Sequence, residues 1–194
     1  MKRAITIPAA LLASCVATAP AFAHTGVGHT HGFAYGFLHP IGGLDHVLAM
    51  VAVGLFAVHL GGRALWLVPA TFVTLMAAGA MVGMRGAEIP FAEAGIATSV
   101  VALGLMVALQ TSLPVVVAMG LVGVFAVFHG QAHGFETPAD ASALTYALGF
   151  MTATASGVGF GVAISKAGAS LSTRAAQVGG GAMAVTGVFL LAGG

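Results

Sequence analysis

His39-Pro40-Ile41-Gly42-Gly43-Leu44-Asp45-His46 opens a segment that is otherwise apolar to Leu60, His59 excepted. Two histidines, an aspartate, a proline and two glycines thus stand at the front of a stretch long enough to cross a bilayer, about 20 residues. An aspartate at the bilayer centre costs at least ~2.5–3.5 kcal/mol, so its presence in such a stretch asks for a function. The rest of the chain reads as a scaffold that presents this stretch to a second polar segment, residues 128–136.

Composition supports the membrane reading. Apolar residues make up 59% of the chain and charged residues 6%, with a mean hydropathy of +1.05. Soluble domains carry about 25% charged residues, which excludes that class. A net charge of +1 offers no basic field to a nucleic acid. Cys15 is the one cysteine, so neither an internal disulfide nor a thiolate metal site can form.

Working outward to the N-terminus, residues 1–23 have the parts of a signal peptide. A basic start (Lys2, Arg3) precedes an apolar centre and the small-x-small site Ala21-Phe22-Ala23. Cleavage there would leave His24 at the new N-terminus. Two alternatives stay open: acylation at Cys15 within Leu12-Ala13-Ser14-Cys15, or an uncleaved anchor. All three place the following segment outside the cytoplasm. Residues 24–36 are rich in glycine and histidine, with His24, His29 and His31. Glycine-rich segments order poorly, and short His-rich tracts collect metals.

Residues 37–194 are expected to form an all-α bundle of six transmembrane helices, over 37–60, 64–84, 90–109, 113–129 (with a continuation to His133 left open), 142–165 and 173–191. An outside N-terminus puts Arg63, Lys166 and Arg174 in the cytoplasm and Arg85 outside, as the positive-inside rule prefers. It also brings the start of the first span and the end of the fourth to the periplasmic face. The 29 glycines, among them Gly79, Gly83, Gly120, Gly123, Gly157, Gly159, Gly161 and Gly179–Gly181, are read as packing devices that let membrane helices approach closely.

His129-Gly130-Gln131-Ala132-His133-Gly134-Phe135-Glu136 is the cleaner ligand set. Helical residues three and four apart share a face, which aligns His129, His133 and Glu136. Imidazole and carboxylate suit nickel, cobalt, zinc or manganese. In the first motif a regular helix would separate His39 from His46 by about 10 Å along its axis, too far for one ion held by bonds of ~2 Å. Either Gly42 and Gly43 break the helix and bring the histidines together, or the two are successive stations. The stations are preferred, with His39 at the mouth and His46 deeper beside His129 and His133. Asp45 has three open roles: direct ligand, compensating charge, or the group that holds a histidine tautomer. Met50, Glu93 and His59 are weaker candidates, read chiefly as packing, helix-dipole partner and tolerated interfacial histidine.

The two motifs carry a resemblance. His39-Pro-x-x-Gly43-x-Asp45-His46 and Phe128-His129-Gly-x-Ala-His133-Gly-x-Glu136 resemble the paired signatures of the HupE/UreJ family of bacterial membrane proteins. The likeness covers essentially the whole chain. It implies uptake of Ni2+, in some members Co2+, in support of hydrogenase and urease, with His39, Asp45, His46, His129, His133 and Glu136 selecting the metal. It also implies a multi-pass protein of the bacterial inner membrane. The chain departs from the larger nickel–cobalt permease pattern His-x4-Asp-His, because five residues separate His39 from Asp45. It also lacks a fifth-span histidine after Ala153-Thr154, where Ala155, Ser156, Gly157 and Val158 follow.

The functional expectation is a secondary transporter or facilitator whose cargo is a divalent metal. Its rivals are a non-conducting metal sensor or metallocentre accessory protein, and a metal-dependent intramembrane enzyme, for which no His-Glu-x-x-His motif is present.

Overall fold

Proline and glycine decide where the first span ends and restarts. The computed structural model describes residues 32–139, 141–167 and 173–193. Within them, α1 (Gly32–Gly42) carries Pro40, and α2 (Leu44–Leu60) begins after Gly43. Gly43 is extended (φ −95°, ψ 118°), and the two helix axes are bent by 83°. Paired glycines are poor helix formers, and Asp45 in the first turn of α2 favours a new helix start there. One continuous span over 37–60 is therefore corrected to a broken pair. α1 also begins at Gly32, inside the segment expected to be a loose tail. The signal peptide, Cys15, His24, His29 and His31 lie outside the described residues.

Five further helices follow: α3 (Ala64–Gly83), α4 (Ala92–Ala108), α5 (Val115–Phe135), α6 (Ala143–Ala167) and α7 (Thr173–Leu191). Seven helices and no strand occur among the described residues. α3, α5, α6 and α7 are long and apolar enough to cross a membrane, and the α1–α2 pair counts as a fifth span if taken together. α4 has 17 residues, about 25 Å at 1.5 Å per residue. It is flanked by two non-glycine residues in the left-handed region, Phe91 (φ 61°) and Gln110 (φ 52°), a conformation that stops a right-handed helix. Large apolar side chains such as Trp66, Val116, Leu144 and Val185 face outward, as suits a surface bathed in lipid.

The packing partners are α3 with α5, α4 with α7, and both α1 and α2 with α6. Each early helix therefore lies against a late one. Small residues make the crossings. A side chain on Gly79, Gly83, Gly130 or Gly134 would meet main chain of the opposite helix across α3–α5. Gly104 and Gly180 play the same part across α4–α7. By contrast Gly120, Gly159, Gly179 and Gly181 face open space.

The core beneath the break is sealed by fully buried Val53, Phe56, Phe72, Val100 and Leu103. The end of the bundle carrying the break also receives the C-terminal turns of α3 and α5 and the start of α6. Arg63, Lys166 and Arg174 lie at the opposite end.

Candidate metal centre

The break folds the first motif back over the end of α5. His39, from α1, and His46, from the first turn of α2, both reach His133: the ring centroids are 5.2 Å and 4.4 Å away. His46 also lies 4.7 Å from His129. The helix break that one sequence reading allowed is observed, yet it brings His39 and His46 to His133 rather than to each other, so the two still stand in succession, His39 outermost.

Asp45 orients the second imidazole. Its Oδ1 accepts both the backbone N–H and the Nδ1–H of His46, each at 2.7 Å. The first of these satisfies one of the free N–H groups that every helix start leaves. The second leaves His46 Nε2 as the bare nitrogen, and that atom is buried with no partner. His129 Nε2 contacts Ser99 Oγ on α4 at 2.8 Å, while its Nδ1 is buried and unpartnered. His133 has no hydrogen-bond partner at either ring nitrogen. Its ring stacks on Phe150 of α6 (5.4 Å, 24°), which fixes its plane without consuming a nitrogen. Buried polar atoms without partners are costly and call for an explanation. Here the orphaned nitrogens belong to three imidazoles, with His129 and His133 each against His46, a donor set suited to a borderline divalent cation.

Nearer the surface, His39 Nε2–H donates to Glu136 Oε2 at 2.6 Å. His39, His133 and Glu136 can each offer a ligand atom within 4.8 Å of one another. His133 therefore belongs to an outer set with His39 and Glu136 and to a deeper set with His46 and His129. The hydrogen bond from His39 holds the Glu136 carboxyl below its usual range, against a smaller opposing effect of burial. A carboxyl depressed on folding stabilises above its unfolded pKa, ~4.3, and that contribution is lost as pH falls through the lower folded value. Glu136→Gln should therefore flatten the acid side of a plot of melting temperature against pH.

Gly43 is needed beside this pair for space. A Cβ there would lie 2.8 Å from Asp45 Oδ1 and 2.9 Å from His46 Nδ1. Side-chain ends can move aside, so Gly43→Ala should spare stability yet part the hydrogen bond. Loss of such an orienting contact typically costs 10–100-fold in metal affinity. The expected result is a drop of roughly tenfold in nickel affinity by calorimetry, with an unchanged melting temperature.

The remaining candidates are dispersed. Met50 packs against Gly157 of α6. Glu93 lines an outer cavity of about 300 Å³ with Glu88, Gln131 and Glu136. His59 sits at the far end of α2, with a buried, unpartnered Nε2, beside a separate cavity of about 530 Å³.

The match to known proteins is extensive. The family described as HupE / UreJ protein matches residues 11–190. The chain belongs to the HupE/UreJ family. This HupE/UreJ member is 45% identical over 177 residues to Protein HupE of Rhizobium leguminosarum bv. viciae, covering 90% of this chain and 92% of that one. No solved structure matches it.

Sequence reasoning missed several residues around the rings of this HupE/UreJ protein. Ser99 is fully buried on α4, and Phe72 of α3 sets its edge to His129 at 6.0 Å. Tyr146 of α6 lies 6.1 Å from His39, with a buried, unpartnered hydroxyl. A lone serine within an apolar run was the available signal for Ser99. In α6, Thr154 is buried and donates back to the Phe150 carbonyl. Ala155 and Ser156 are exposed, while Val158 is buried. The imidazole cluster is thus assembled without a histidine from α6.

Proposed function

We propose that this protein imports Ni2+, with Co2+ as the second candidate cargo, from the periplasm to the cytoplasm as a secondary transporter or facilitator. The observation that carries the reading is the set of orphaned imidazole nitrogens on His46, His129 and His133, reached from outside through His39 and Glu136. The family, linked by its resemblance to nickel and cobalt uptake for hydrogenase and urease, supports the same cargo.

Orientation follows from charge. Arg63, Lys166 and Arg174 lie at the end away from the site, and Arg85 near it, so the positive-inside rule puts the site on the periplasmic face of the inner membrane. Glu88 and Glu93 beside Glu136 raise the local concentration of cations. The outer set then exchanges the ion's water for His39, His133 and Glu136. His133, which has a free nitrogen for either set, passes the ion to His46 and His129.

The ligands come from two packing groups, α1–α2 backed by α6 and α5 backed by α3. Release requires those groups to shift along their shared seam and open the sealed core below. A potential of 100 mV supplies ~2.3 kcal/mol per charge, so ~4.6 for a dication, a gradient on the order of a thousandfold without ATP. The tail histidines His24, His29 and His31 would collect metal ahead of the mouth.

The test is nickel and cobalt accumulation at submicromolar supply in cells lacking their own importers. The parent should accumulate metal, and a His46→Ala/His133→Ala variant at equal membrane abundance should not. Metal binding by the purified parent without accumulation would favour a sensor or accessory protein.

A further inference from the structure

Resting on the transport reading, we propose that Ser99 is a positioning residue that makes His129 take the cation through Nδ1. The Ser99 hydroxyl has one proton and donates it to the Ile96 carbonyl at 2.6 Å, a back-bond common for serine in helices. Its oxygen can then only accept. The 2.8 Å contact with His129 Nε2 must therefore carry the proton of His129, as Nε2–H, and neutral imidazole with one nitrogen protonated has the other bare. The bare atom is Nδ1, the one that is buried without a partner. In the opposite tautomer that position would hold a buried N–H with no acceptor, a costly arrangement.

The neighbouring ring is set the other way. Asp45 takes Nδ1–H of His46 and leaves Nε2 bare. The two rings meet nearly perpendicular, at 87°. Ser99 on α4 and Asp45 on α2 thus fix the two tautomers before a cation arrives, and α4 takes part in the site without contributing a ligand.

The tautomer can be read directly from 15N-histidine spectra of the protein in nanodiscs, with His129 assigned by its loss in His129→Ala. The parent should show Nε2–H and bare Nδ1 before metal, and Zn2+, used as a diamagnetic probe, should shift Nδ1. Ser99→Ala should mix the two tautomers and weaken Zn2+ binding by about tenfold or more, while Ser99→Thr should restore both. Nδ1–H in the parent, binding through Nε2, or a Ser99→Ala protein with parental tautomer and affinity would overturn the proposal. A parent that holds Nε2–H but binds neither Zn2+ nor Ni2+ would instead overturn the transport reading, and with it any role of Ser99 toward a cation.

Discussion

His133→Ala should weaken nickel binding by about a hundredfold or more, at or beyond the top of the 10–100-fold range for loss of an orienting contact. The reason is that His133 belongs to both ligand sets. It lies 5.2 Å from His39 and 4.4 Å from His46, ring centre to ring centre, and neither of its nitrogens is otherwise engaged. Without it, the outer set falls to a histidine and a carboxylate already bonded to each other, and the deeper set to two imidazoles. Calorimetric titration of purified protein measures the loss. His59→Ala, at the far end of α2, should leave affinity unchanged. Because His133 stacks on Phe150, His133→Gln serves as a variant that keeps more of the packing. Parental affinity in both variants would remove His133 from the site.

Gly130→Ala should be the most damaging small substitution, costing about 3 kcal/mol or more, the upper range for overpacking a core. The added methyl would run into the main chain of Met76 on α3, and Gly134, one turn on, lies in the same way against Ala80. Main chain cannot step aside as a side chain can, so α5 would have to lift from α3. His129 and His133 flank Gly130 and would move with it. The motif therefore alternates two tasks along one helix: glycines seat α5 on α3, and histidines face the seam with α2. Chemical unfolding in detergent, together with the monodisperse fraction after purification, reports the effect. Gly120→Ala is the control, since nothing lies within 4 Å of that position. It should be neutral or stabilising by up to ~1 kcal/mol, the propensity gain of alanine over glycine in a helix.

The helical, membrane-spanning character was legible because it rests on composition and long apolar runs, which need no tertiary information. The pairing of the 39–46 and 128–136 segments was legible too, since charge bias and span order already brought their ends to one side. The break at Gly43 was harder to read. Pro40, Gly42 and Gly43 permit a bend, but its 83° turn depends on α1 packing against α6, a contact between segments about a hundred residues apart. α4 was legible to within two residues at either end, and what shortens it from the expected 90–109 is left-handed backbone at Phe91 and Gln110. Ser99 and Tyr146 were not legible as site residues, because a polar group in an apolar run signals that it needs a partner without saying which neighbour it will meet. Their roles come from α4 and α6 closing around the imidazoles.

Flux through the purified protein tests the central claim most directly. Proteoliposomes carrying a trapped nickel-sensitive dye and an inside-negative potential should fill with Ni2+ when they contain the parent, and faster as the potential rises. Vesicles with His46→Ala/His133→Ala protein should match protein-free controls. Equal, potential-independent filling by parent and double variant would contradict the account, because the imidazoles gathered at the break in the first span would then carry no ion.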